Sequence, residues 1–260
     1  MKFLGKASVF VLALVLAQMV GAKTRVWVFC GLAGDEEHRE KFEERMGEIR
    51  KTLRSRFGVE GEAVRFYFDG KGGGYEGITN RETVLEELGN VANFSKAGDD
   101  CWVILMGHAT KVRGGMRWNL PGPDLDAGEL GEVLRMSPRL ALWATMTGSF
   151  SLLRTVGGEE RIVVVATSPA DPENETDFPA GLVKALNSTE DSNGDSVIDV
   201  SELFLAAREE TLKIYEQLGA VVKELSLLDG DGDGRGTSRP AKFDAKGAAR
   251  MGFRLRSYFD

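Results

Sequence analysis

The run from Trp102 to Met106 (WVILM) constrains this chain more than any other stretch, because it is apolar at every position. A strand with no polar face must be covered on both sides, as in the middle of a parallel sheet flanked by helices. The surrounding pattern fits that demand. Arg25 to Cys30 is apolar and β-rich, and Phe42, Met46, Ile49 and Leu53 recur at helical spacing within a charged helix from about Asp35 to Phe57. Ala63 to Phe68 alternates as a strand does and stops at Asp69-Gly70. Val84, Leu85, Leu88 and Val91 mark a second helix, capped by Thr79 or Asn80. A short helix follows from about Asp126 to Arg135, then strands at Leu140 to Ala144 and Arg161 to Ala166. Strands alternating with helices predict a three-layer α/β/α sandwich with a mostly parallel sheet.

The chain divides into a leader, residues 1–22, a body, 23–228, and an acidic turn with a tail, 229–260. Lys2 and Lys6 start the leader, Val9 to Ala17 is its apolar run, and Val20-Gly21-Ala22 offers small residues for cleavage. That is the pattern of an export signal, so the protein is expected to be secreted or periplasmic, with no membrane span once the leader is removed. The formal charge is −7; without the leader's two lysines, 31 basic residues face 40 acidic ones, a balance of −9. An acidic chain without a basic cluster argues against nucleic acid as a partner. Cys30 ends one strand and Cys101 starts another. On adjacent parallel strands their sulfurs lie a strand length apart, so both read as buried thiols. Asn93, Asn174 and Asn187 begin Asn-x-Ser/Thr sequons, which matter in a glycosylating host.

In such sheets ligands bind beyond the carboxyl ends of the strands. Two polar residues are expected there, His108 after the Trp102–Met106 strand and Thr145 after the Leu140–Ala144 strand. These strand ends resemble the caspase and legumain group of cysteine peptidases. In that group one strand ends in His-Gly and the next in Ala-Cys, followed by Ser-Gly or Arg-Gly. Legumains carry Glu-Ala-Cys-Glu-Ser-Gly-Ser-Met; this chain reads Trp143-Ala144-Thr145-Met146-Thr147-Gly148-Ser149-Phe150, with Met106-Gly107-His108-Ala109 as the histidine motif. Ile78-Thr79-Asn80 leading into a helix and Asp99-Asp100 before the histidine strand are similar too, and the likeness covers roughly residues 24 to 215. The resemblance implies a caspase/legumain-like fold, a catalytic pair at His108 and Thr145, and the Ala109 N–H as an oxyanion donor.

The departures fall on the chemistry. Thr145 stands where the group has its nucleophilic cysteine, and a threonine hydroxyl needs far stronger activation than a thiol. Its β-branch also restricts the rotamers from which it could attack. Ala109 replaces a glycine but keeps the backbone N–H. Ala33, in Gly31-Leu32-Ala33-Gly34, replaces an asparagine that would orient the histidine. The expected outcome is a peptidase homologue without efficient proteolysis, a pseudoenzyme that keeps a cleft for a peptide or protein ligand. The first alternative is a secreted peptidase in which Thr145, or Thr147 or Ser149, works with His108 as a hydroxyl-type dyad. The second is a calcium-dependent interaction module built on a peptidase-like scaffold.

Residues 191–202 (DSNGDSVIDVSE) match an EF-hand-like loop for Ca2+. Asp191, Asn193 and Asp195 take positions one, three and five, Val197 offers its carbonyl at seven, Asp199 sits at nine, and Glu202 supplies the carboxylate at twelve. Ile198 at position eight is the expected packing residue, with helical patterns at Gly181 to Asn187 and Glu202 to Leu218. Ser196 occupies the turn position that usually needs glycine, so it must take a positive φ at about 1 kcal/mol. Asp229, Asp231 and Asp233 look like the first half of a second loop whose twelfth position is Pro240, which has no side-chain ligand. Gly70-Lys71-Gly72-Gly73-Gly74 lacks the sequence of a phosphate-binding loop and reads as a connection near the cleft. His38 reads as solvated in its charged first turn. Trp118 to Asp124 (WNLPGPD) is either a wall of the cleft or packing over the sheet. The basic, Phe-bearing tail from Pro240 is expected to dock on the acidic body.

Overall fold

The computed structural model describes residues 22–70 and 74–256. The leader pattern up to Gly21, Lys71 to Gly73 of the glycine-rich connection and the last four residues lie outside the described residues. The chain begins with β1 (Thr24–Cys30), α1 (Glu36–Phe57), β2 (Val64–Phe68) and β3 (Gly77–Ile78). Next come α2 (Arg81–Lys96) and β4 (Asp100–Met106), then the three-stranded β5 (Ala109–Val112), β6 (Gly115–Trp118) and β7 (Leu125–Asp126). They are followed by α3 (Ala127–Leu134), β8 (Leu140–Ala144), α4 (Ser151–Val156), β9 (Arg161–Val165) and α5 (Phe178–Ser188). The chain closes with β10 (Val197–Asp199), α6 (Val200–Gln217), β11 (Leu227–Asp229), α7 (Lys242–Ala248) and β12 (Gly252–Arg254).

The central sheet runs β11-β9-β8-β4-β1-β2-β3. Its strands are parallel except β11, which pairs antiparallel with β9. Because side chains alternate across a strand, the sheet divides its core into two layers. Val26, Val28 and Cys30 of β1 pack with Phe42 and Met46 of α1, Phe178 of α5 and Leu203 and Phe204 of α6. Trp27 and Phe29 point the other way, to Val84 and Leu88 of α2, Leu130 of α3 and Leu152 of α4. Helices therefore cover both faces, as the apolar run at β4 requires.

Local chemistry sets the helix ends. Asp35 caps α1 by accepting from His38 N at 2.9 Å, and Gly58 ends it in the left-handed region. Asn80, rather than Thr79, caps α2 through Thr83 N. Asp126 and Glu129 form a capping box on α3, and Asp199 and Glu202 form another on α6. Cys30 aligns with Met106 and Cys101 with Arg25 on the paired strands β1 and β4, so the two cysteines sit at opposite ends and both are free and buried.

The chain beyond β11 is built into the body. β12 pairs antiparallel with β10, and Phe253 stacks on Trp102 at 4.1 Å and on Phe57 at 4.9 Å between ring centroids. The 118–124 connection packs over the sheet: Trp118 is fully buried and its indole N–H donates to Met106 O at 2.9 Å. No helix among the described residues is long and apolar enough to cross a membrane.

Candidate functional site

The chain moves from β1 outward to β2 and β3, then returns to β4 on the other side of β1. Such a reversal opens a crevice beyond the carboxyl ends of the two strands. Gly31 N donates to Met106 O at 3.0 Å, which draws the two strand ends together. Gly107 permits this approach: its φ is +108°, and a Cβ there would lie 2.9 Å from Gly31 N. The residue delivered into the crevice is His108.

His108 is held by the chain at the end of β1. Its Nε2 lies 3.0 Å from Ala33 O. A carbonyl only accepts, so Nε2 carries a proton and donates to it. Ala33 N donates in turn to Asp69 Oδ2 at 2.7 Å. Asp69 is buried, and Arg39 Nη1 lies 2.8 Å from its other oxygen, as an ion pair outside hydrogen-bond geometry. His108 is thus oriented by the main-chain carbonyl of Ala33.

Thr145 sits where strand register puts it, one residue beyond Ala144, which aligns with Leu105 of β4. Its surroundings differ from those of an attacking group. The residue is 1% exposed, and its hydroxyl donates to Leu105 O at 2.9 Å while its own N–H reaches the same oxygen at 3.0 Å. Thr176 covers it, donating its hydroxyl to Thr145 O. No hydrogen bond joins His108 to Thr145. The neighbouring hydroxyls are also engaged: Thr147 donates to Asn174 O, and Ser149 bonds Thr167 Oγ1 at 3.3 Å and accepts from Ala166 N at 3.1 Å.

A cavity of about 200 Å3 opens beside His108, lined by Gly107, Ala109, Thr147 and residues 173–176. Ala109 pairs with Trp118 across β5 and β6, and Asn119 N donates to His108 O. Antiparallel ladders alternate bonded and non-bonded pairs, so the Ala109 N–H is left out of the ladder, on a residue that lines the cavity. Lys111 borders the same wall, donating to the carbonyls of Pro169 and Asp171 at 3.2 Å each. A larger groove of about 810 Å3 lies between α1 and the edge at β2. It holds no histidine, and its Arg54 is paired with Glu60 at 2.9 Å.

His38 belongs to this site and is not a free surface group. Its ring stands edge-on to His108 with centroids 4.7 Å apart, and it reaches Asp35 and Glu175. The chain's two histidines therefore meet. The sequence signal was faint, a polar residue three positions after a helix cap.

The 191–202 segment folds around Asp191. Oδ1 accepts from Gly194 N at 2.7 Å and Oδ2 from Ser196 N at 2.7 Å. Ser196 takes the positive φ, 65°, that its turn position demands. Asn193 accepts from Asp195 N, and Asp195 from Val197 N. Glu202 is committed elsewhere, accepting from Ser192 N at 2.9 Å and from Asp199 N at 3.1 Å as part of the helix cap. Burial raises the Asp199 carboxyl above its ordinary range. The Asp229 turn repeats the same pattern: Gly232 N and Gly234 N donate to the two oxygens of Asp229, Asp233 N to Asp231, and Arg235 N to Asp233. Among the described residues, Asp229, Asp231 and Asp233 are the group whose ligand atoms lie within 4.8 Å of one another. Comparison with models of protein families and with curated proteins finds no match for this chain.

Proposed function

We propose that this chain is an exported homologue of the caspase and legumain peptidases that binds a peptide or protein segment at the His108 cleft without cleaving it efficiently. The observation that carries this reading is the contrast between its two strand-end residues. His108 borders a cavity with its ring held by the Ala33 carbonyl, whereas the Thr145 hydroxyl is buried and spent on the Leu105 carbonyl. A nucleophile must have a base within hydrogen-bond reach and a path to its substrate. Thr145 has neither in this arrangement, and Thr147 and Ser149 offer no freer hydroxyl. The adjacency of β4 and β8 supports the kinship, because it places the two motifs at one sheet edge. The acidic balance favours a protein or peptide ligand over nucleic acid. A secreted or periplasmic location rests on the leader pattern of residues 1–22.

Calcium at the 191–202 loop belongs to the same proposal. Asp191, Asn193, Asp195, Asp199 and Glu202 with the Val197 carbonyl would hold it, an all-oxygen set suited to a hard cation. The ion would offset the carboxylate charge crowded into one turn. Glu202 would have to leave Ser192 to take part. Because β10 pairs with β12, an ordered loop would also steady the C-terminal segment.

The test is a panel of fluorogenic peptides ending in Asn, Asp, Arg or Lys. Wild-type protein is expected to release no more fluorophore than His108→Ala, while Thr145→Cys gains thiol-reagent-sensitive turnover. Wild-type turnover that His108→Ala abolishes would overturn the inactive reading.

A further inference from the structure

His38 carries an arrangement the cleft alone does not explain. Both ring nitrogens face carboxylate oxygens, Nδ1 at 2.7 Å from Asp35 Oδ1 and Nε2 at 3.1 Å from Glu175 Oε2. Carboxylates accept and do not donate, and a neutral imidazole has a single N–H. The two bonds together therefore require the imidazolium.

One partner is local and the other is not. Asp35 is the cap of the same helix and also accepts from His38 N at 2.9 Å. Glu175 lies 137 residues away, in the 173–176 wall of the cavity beside His108. Every element packed around the ring contributes a charged or titratable group: Asp35, Glu37 and Lys41 from α1, His108 after β4, and Glu175 from the wall. The hydrogen bond to Asp35 does most to raise the His38 pKa above its ordinary value, with Glu175 adding to it and burial opposing it.

We propose that His38 is a positioning residue that latches the 173–176 wall against His108 while its ring is charged, and releases that wall when it loses a proton. The order of release follows from geometry. A neutral ring keeps its one N–H on Asp35, which helix α1 holds in place, and then turns a lone pair on Nε2 toward the Glu175 carboxylate. Attraction becomes repulsion, and Glu175 leaves. The latch goes beyond the ligand-binding reading and does not depend on it, since it concerns the wall itself.

A nitroxide attached through Glu173→Cys reports on the wall directly. Cys30 and Cys101 are fully buried, and burial raises both thiols, so the introduced thiol is the reactive one. At pH 5.5 the spectrum should be immobilised, and by pH 8.5 a mobile component should dominate. The midpoint should match the His38 titration followed by NMR of the two imidazoles. His38→Gln should remove the pH dependence, and Glu175→Ala, at an exposed position, should leave the label mobile throughout. A wild-type spectrum unchanged between these pH values would overturn the latch, as would a transition that persists in His38→Gln.

Discussion

Replacing Thr145 by valine separates a structural hydroxyl from a chemical one. In the structure Leu105 O receives two donors from Thr145, the N–H at 3.0 Å and the hydroxyl at 2.9 Å. Valine keeps the β-branch and the first bond but removes the second. Losing one neutral hydrogen bond costs about 1 kcal/mol, and setting a methyl against a buried carbonyl adds up to about 1 kcal/mol more. For a domain of this size each kcal/mol moves Tm by about 2–4 °C, so Thr145→Val should melt roughly 2–8 °C below wild type. Thr145→Ser keeps the oxygen and loses one buried methyl, at a cost near 1 kcal/mol. Thermal denaturation followed by circular dichroism reads both, and ligand binding at the His108 cleft should be unchanged in both. A Thr145→Val protein as stable as wild type that has lost binding or turnover would refute the reasoning, because the hydroxyl would then serve the site and not the sheet.

Phe253→Ala removes a ring stacked between Trp102 and Phe57 and should cost about 3–5 kcal/mol by chemical denaturation, showing that the tail is part of the fold. Glu224, buried where it accepts from Asp177 N and Tyr215 OH, has its carboxyl pushed up to about 7 by desolvation. The folded state then binds a proton more readily than the unfolded one, so its contribution is fully present below about pH 4.5 and fades as pH rises through about 7. His38, raised above its ordinary value, loses its contribution in the same direction. Urea midpoints should therefore fall from pH 5.5 to pH 8, and Glu224→Gln should flatten that slope. Calcium in about hundredfold excess over its dissociation constant should stabilise the protein by about 2.7 kcal/mol, and Glu202→Gln should lose most of the resulting Tm shift. No shift at millimolar calcium would remove the loop from the account.

The strands at Leu140–Ala144 and Trp102–Met106 were legible because a run without polar residues leaves few placements. The helix over 36–57 was legible because its apolar residues keep one face. The positive φ of Ser196 followed from motif position alone. What the sequence hid depends on long-range packing. No element is evident in the sequence over 109–117, and 118–124 reads as a loop beside the cleft or over the sheet; residues 109–126 nonetheless carry β5, β6 and β7, with the Trp118 indole donating to Met106 O. His38 resembles any charged first-turn residue, since its partner Glu175 lies 137 residues away in the chain. Ala33 looked like the loss of an orienting side chain, and its carbonyl does the orienting. The Phe-bearing tail reads as docking on the acidic body, yet nothing local marks Phe253 for the core, or Glu224, a loop carboxylate, as the partner of a distant helix start.

Labelling with a fluorophosphonate tests the state of Thr145 most directly, because such reagents report an activated hydroxyl whatever the substrate preference. With Thr145 donating to Leu105 O and unconnected to His108, intact-mass spectrometry should show no adduct after prolonged exposure at neutral pH. A stoichiometric adduct mapped to Thr145, and absent in His108→Ala, would contradict the account and establish a working dyad.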